Sequence, residues 1–280
     1  MLYEKDTQFK GLMTLNLGVI HRMQGHYQQA LFYQEKALTL FRQIGAPYWE
    51  GVAMANHALL ALHLGNYEQA SSGFAQTNKL WEQAGTVHLQ DGLYTFWGLL
   101  KHYLGHDENA LVMVKQAKEI NQSKGEVPYL ALACLVSGHV KRALGLKKKA
   151  QNAYQEALRL WQANHKQKRS MEAKSGLAEL ALEQNKFSEA LSYVEQIIRH
   201  RTQNPTLAGT YEPRRILLTC IKVLEAAGQT EQADALLEES YQLLMQRAND
   251  LKDEKLRESF LQNVSFHREI VWRWSNRARI

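Results

Sequence analysis

Every forty residues or so the chain returns to a small, conformationally permissive residue. The column reads Gly25, Gly65, Gly105, Gly145, Asn185 and Gly228, at steps of 40, 40, 40, 40 and 43 residues. Five residues further on stand Ala30, Ala70, Ala110, Ala150, Ala190 and Ala233, alanine every time. Seven residues before the turn come Gly18, Ala58, Gly98, Gly138 and Ala178, with Ile221 the one exception. Small residues at two fixed offsets from a turn, with apolar residues at helical spacing on both sides, mark a helical hairpin whose two helices approach closely.

The physical chemistry is direct. Gly or Asn at the turn takes positive φ and ends the first helix. The small residues on either side let the helices cross without a side chain wedged between them. Tyr27, Tyr67 and Phe187 follow the turn by two residues and can cover the junction, whereas Asp107, Lys147 and Thr230 show that a ring is not required there. One hairpin cannot bury both its faces, but stacked hairpins can, and an even repeat presents the same face to each neighbour.

The periodicity predicts first helices over 9–24, 48–64, 88–104, 127–144, 168–184 and 211–227. Second helices are predicted over 27–44, 67–84, 107–124, 147–164, 187–202 and 230–248. Pro47, Pro128, Pro205 and Pro213 fall between units, where a helix should stop. A last amphipathic helix over 252–275, carrying Leu256, Phe260, Leu261, Val264 and Ile270, would cover the apolar end of the stack. The expected fold is all-α: a right-handed α-solenoid of six hairpins over residues 1–250, followed by a capping helix and basic tail over 251–280. No strand signal competes with it.

These units resemble the tetratricopeptide repeat, W-x2-L-G-x2-Y…A-x3-F…P. Unit one supplies Leu17-Gly18, Gly25, Tyr27, Ala30 and Ala37; unit three supplies Trp97-Gly98, Gly105, Ala110 and Ala117; unit four supplies Gly138, Gly145, Ala150, Tyr154 and Ala157. The resemblance spans residues 8–249, and the additional residues per unit lengthen the second helix and loop.

The segment "LRESFLQNVSFHREI" at 256–270 is similar to the ending of tetratricopeptide regions in large bacterial regulators. These are signal-transduction ATPases of the STAND class and related transcriptional activators and nucleotide cyclases. That resemblance implies an N-terminal effector, a nucleotide-binding switch and a sensor made of repeats. The chain departs from it in lacking any G-x-x-x-x-G-K-[ST] phosphate loop. It therefore reads as the detached sensor end of such a protein or a stand-alone relative, with no ATP site or other cofactor.

Composition narrows the remaining classes. The 280 residues are 45% hydrophobic and 22% charged. Cys134 and Cys220 lie in apolar helical patterns and read as small buried residues. The opening "MLYEKDTQFK" lacks the apolar core of a signal peptide, and no run reaches membrane-span length, so a cytoplasmic protein with no membrane contact is expected. The net charge of +6 sits in "KKK" at 147–149, "HKQKR" at 165–169 and the tail "WRWSNRARI". That charge forms no continuous face, so direct nucleic-acid binding is not expected.

Eleven histidines invite a search for metal or catalysis. His102 and His106 are four apart, but Gly105 between them ends the helix and separates their faces. There is no H-E-x-x-H, no C-x-x-C and no serine in a strand-turn-helix setting, so neither a metal site nor an enzyme is expected. Glu238 and Glu239 read as solvated surface.

The tetratricopeptide resemblance implies that the first helices line a concave inner surface. The candidate ligand groove consists of Asn16, Arg22, Asn56, His63, Phe96, His102, Tyr103, His139 and Arg142. Around them lie apolar positions such as Leu12, Leu15, Val52, Leu59, Leu99, Leu132 and Leu135, which could equally be packing against neighbouring helices. Units five and six turn polar, with Glu172, Ser175, Glu179, Glu183, Arg215, Thr219, Lys222 and Glu225. Asn16 and Asn56 share the repeat position at which peptide-binding relatives set an asparagine against ligand backbone, where an amide offers both donor and acceptor. The Lys, Asn and Arg of a two-carboxylate clamp are not all present. His63, His102 and His139 are either pH-sensitive groove residues or hydrogen-bonded structural histidines, the commoner case.

The expected function is a non-catalytic module that binds a protein or peptide partner in the concave groove, as the sensor or partner-binding portion of a bacterial signalling or transcription regulator. One alternative is a small-molecule inducer held in a compact pocket around Phe96, Leu99, Tyr103 and His139. The other is a scaffold that pairs with itself as a homodimer.

Overall fold

Asn185 takes φ +58° and Gly65 φ +71°, the left-handed conformation that ends a helix and reverses the chain. The turn column does what its residue types demand. A computed structural model describes residues 2–85 and 90–277. Its helices pair in chain order: α1 (Leu2–Gln24) with α2 (Tyr27–Gln43), α3 (Pro47–His63) with α4 (Tyr67–Gln83), and α5 (Gln90–Tyr103) with α6 (Asp107–Lys124). The series continues with α7 (Val127–Ala143) and α8 (Lys147–Ala163), α9 (Gln167–Leu182) and α10 (Phe187–Arg201), and α11 (Pro213–Ala226) and α12 (Thr230–Asn249). Two short helices close it, α13 (Glu254–Gln262) and α14 (Ser265–Asn276). Among the described residues there is no strand, only an isolated bridge between Ala208 and Thr210. The fold is the expected all-α solenoid. Positions 88–89 of the predicted third first helix, and the last three residues of the basic tail, lie outside the described residues.

Close helix approach explains the small columns. Ala30, Ala70, Ala110, Ala150 and Ala190 are fully buried. A Cβ on Gly18 would stand 2.7 Å from Gln34 Cγ, and one on Gly98 2.7 Å from a Val114 methyl, so each first helix lies against its partner at these points. Pro47, Pro128 and Pro213 open α3, α7 and α11, where their missing N–H costs nothing.

Two features depart from the sequence expectation. The first helix begins at Leu2 rather than near residue 9. The single capping helix over 252–275 is instead two helices: Val264 adopts an extended backbone (φ −74°, ψ 108°), and the chain bends there. The bend has a second consequence. The C-terminal elements pack on α11 and α12, as a cap should, and also reach back to the first two hairpins. Arg247 donates to Gln24 O at 3.2 Å, Lys252 N donates to Gln28 Oε1 at 3.0 Å, and Tyr67 OH donates to Asn263 O at 3.1 Å. Tyr27 meets Phe260 edge-on with ring centroids 5.4 Å apart. One apolar cluster thus joins Tyr27, Leu60 and Leu64 to Leu251, Phe260 and Ile270. The superhelix closes on itself.

Candidate functional site

Closure decides what is left of the groove. The segment between α10 and α11 crosses the inner side and is anchored by Glu172 on α9. Glu172 Oε1 accepts from Tyr211 N at 2.5 Å and Glu212 N at 2.9 Å. Tyr211 then packs on Phe96 at 5.5 Å between centroids and carries the Arg169 guanidinium 4.0 Å above its ring. Burial pushes the Glu172 carboxyl up to about 7, against the pull of Arg169 and the two N–H groups.

What remains open is a cleft of about 650 Å³ on the inner face of α3, α5 and the start of α7. Tyr48, Trp49, Phe96 and Tyr129 supply aromatic wall, Val52, Ala55 and Leu59 the apolar floor, and Asn56 a polar group. Asn56 Nδ2 donates to Val52 O at 2.9 Å, one turn back. That bond fixes the amide rotamer and leaves Oδ1 and the second N–H for a ligand. Lys124 and Glu126 add one charge of each sign at the cleft.

The nine groove candidates separate into different places. Asn56 and Phe96 share the cleft. Asn16 is exposed on α1 and does not line it. His63 and Tyr103 line a small space on the other side of Tyr211. Arg22 is buried, 8% exposed. His102 Nδ1 lies 2.5 Å from Asp107 Oδ1, and burial together with Arg215 pushes its pKa below the ordinary value despite that carboxylate. His139 is buried, with Nδ1 2.9 Å from the Tyr154 hydroxyl. Burial and Arg215 push it well below the usual histidine value. Both are hydrogen-bonded within the fold. Arg142 pairs with Glu179 at 3.2 Å and with Glu183, bridging α7 to α9. Of the residues Phe96, Leu99, Tyr103 and His139, Phe96 and Tyr103 open into different spaces.

The polar inner face of the last units is also satisfied from within. Lys222 pairs with Glu269 at 2.9 Å, and Arg273 bridges Glu269 to Glu225. These pairs tie α11 to α14. Both cysteines are buried and free. Among the described residues no group of three or more His, Cys, Asp or Glu is placed to hold a metal, and no helix is long and apolar enough to cross a membrane. Sequence reasoning missed the wall residues Tyr48, Trp49 and Tyr129, which lie at helix starts beyond the groove offsets counted from the turn. The dense aromatic run "PYW" was the available signal.

The tetratricopeptide repeat family model matches residues 10–83, and that of the soluble NSF attachment protein, SNAP, matches residues 100–218. The fold is a tetratricopeptide-type solenoid. No curated protein sequence matches it. Among solved structures it is similar to NprR in complex with its cognate peptide NprX, at 15% identity and TM-score 0.68, covering 98% of this chain and 78% of that one. A Rap protein complexed with competence and sporulation factor superposes with TM-score 0.65 at 15% identity, covering 95% of this solenoid and 76% of the Rap chain. A signal transduction ATPase with numerous domains from Pyrococcus horikoshii, which has a tetratricopeptide repeat sensor, superposes with TM-score 0.55 at 14% identity. That match covers 91% of this solenoid and 39% of the ATPase.

Proposed function

We propose that this solenoid is a non-catalytic binding module that takes an extended peptide segment in the cleft between α3, α5 and α7, and serves as the sensor or partner-binding part of a bacterial regulator. The observation that carries the reading is the cleft itself: aromatic rings on its walls, an apolar floor, and one amide pre-set by its bond to Val52. Rings bury large area at small entropic cost, and a fixed amide satisfies a peptide unit on both sides. The likeness to NprR, solved with its cognate peptide, supports a peptide as occupant, and the likeness to a repeat sensor supports the regulatory role. Binding would act through curvature. A peptide bridging α3 and α7 favours one opening of the superhelix and shifts the equilibrium by its differential affinity for that state.

The test is selection from a random displayed-peptide library on the intact chain. The winning peptide is then titrated by fluorescence anisotropy against wild type, Asn56→Ala, Phe96→Ala and, as a control outside the cleft, Asn16→Ala. Each cleft variant should weaken binding about tenfold or more, the size of a lost anchor, while Asn16→Ala binds as wild type. Equal affinities for all four proteins would remove the cleft from the function.

A further inference from the structure

Behind Tyr211, where the cap meets the first hairpins, lies a small space of about 20 Å³. That exceeds the roughly 10–15 Å³ one water needs and is far below the volume of an ordinary ligand pocket. His63 from α3, Tyr103 from α5 and Arg214 from the start of α11 all line it. Each carries buried polar atoms without a hydrogen-bond partner: His63 Nε2, the Tyr103 hydroxyl, and all three guanidinium nitrogens of Arg214. Arg214 is only 2% exposed.

A buried arginine in that condition needs an anion. Its charge cannot be relieved by losing a proton near neutral pH, because even burial lowers Arg214 only to about 9. Among the described residues none hydrogen-bonds to its guanidinium, and the one carboxylate whose charge favours it, Glu239, is committed elsewhere. Glu212 lines the same space but pairs with Arg215 at 3.0 Å, and Glu239 pairs with Arg201 at 2.5 Å. Two cations, Arg247 and Arg201, lie near Arg214 against the single carboxylate of Glu239, and Arg22 lies near His63. An uncompensated buried charge costs several kcal/mol, and unpaired buried donors add to that.

We propose that this space binds one small monovalent anion of carboxylate type, held by the Arg214 guanidinium with the Tyr103 hydroxyl and His63 Nε2–H as further donors. The three donors come from three different elements, α3, α5 and α11, so the anion joins the second and third hairpins to the sixth. It is a ligand of the closed superhelix, separate from the cleft.

The probe is sodium formate, titrated into the intact chain at constant ionic strength with isethionate, a bulkier anion without a carboxylate, as the balance. The readout is the thermal unfolding midpoint. The wild type should show a saturable rise with formate. Tyr103→Phe, which loses only a hydroxyl, should raise the half-saturating concentration roughly fivefold, the effect of one lost hydrogen bond. Arg214→Met should abolish the rise, and if it fails to fold, Tyr103→Phe decides. A rise without saturation, or the same curve for Tyr103→Phe as for wild type, overturns the proposal and leaves only charge screening. A hexanoate titration identifies the source. Saturation by formate alone supports a free anion in a closed site, and saturation by both supports the carboxylate end of a longer ligand.

Discussion

The side-chain amide of Asn263 donates to the carbonyl of Gly65 at 2.9 Å, across 198 residues of chain. Gly65 is the turn of the second hairpin and Asn263 the hinge between α13 and α14. The same turn leaves no room for a side chain, since a Cβ on Gly65 would stand 2.4 Å from Ser259 O. Asn263→Ala should lower the unfolding free energy by about 1 kcal/mol, the value of one hydrogen bond. It should also speed amide exchange in α13 while leaving α7 and α8 unchanged. Uniform exchange rates in both regions would argue that the contact does not hold the closure.

Tyr154 fills a slot between two first helices. A Cβ on Gly138 would lie 2.4 Å from its ring, and one on Gly176 2.5 Å from the same ring atom. Gly138→Ala and Gly176→Ala should each overpack that slot at a cost of about 1–3 kcal/mol, against a helix-propensity gain of about 1 kcal/mol. In Tyr154→Leu the same glycine changes should cost less, so the two substitutions are non-additive. Urea unfolding of the four proteins in each of the two cycles checks this, and strict additivity refutes the contact.

His267 sits under the cap, 4% exposed, with Nδ1–H donating to Phe260 O at 2.8 Å. Burial lowers it from 6.5 to about 3, overriding the Phe260 carbonyl, which favours the charged form. The unfolded chain therefore binds a proton below pH 6.5 that the folded chain refuses. Its contribution to stability is full above pH 6.5 and falls as pH drops toward 3, by on the order of 5 kcal/mol. His267→Gln keeps a donor and loses the titration. Stability measured at pH 7.5 and pH 5 should fall less in the variant than in wild type, and identical slopes would contradict the assignment.

Glu172 works in the opposite sense. Its carboxyl is raised from 4.5 to about 7, chiefly by burial, so the folded state binds the proton more tightly. That contribution is full below pH 4.5 and is lost as pH rises through 7, on the order of 3 kcal/mol in all. Glu172→Gln can still accept from Tyr211 N and Glu212 N. It should remove this decline, so that the variant gains on wild type between pH 5 and pH 8. A variant that tracks wild type across that window would show that the carboxyl ionises without cost.

The hairpins were legible because their cause is local. A turn glycine, the alanine five residues on and the small residue seven before it are each dictated by one crossing of two helices. A second column was present and not used: Gly45, Gly85 and Gly125 repeat halfway between the hairpin turns, and His165 takes φ +55° at the fourth such position. The groove was only partly legible. Offsets from the turn found Asn56 and Phe96, since those depend on one helix face. They could not foresee that Tyr211 would cover the middle of the inner surface, or that Phe266 and His267 would come to line the space beside His63. Those placements depend on how far the whole superhelix turns, a sum over every hairpin. No single unit encodes it.

Ring closure also sets a schedule for the chain as it is made. Hairpins one and two emerge before the other four, yet the partners that cover Tyr27, Leu60 and Leu64 lie far later in the sequence, at 251–270. Local hairpins form as soon as their residues are available, while contacts of such long sequence separation wait for the loop between them to be in place. The opening two units therefore pass through synthesis with an apolar edge uncovered. Until Phe260 arrives, that edge of the nascent protein is open to the wrong neighbour.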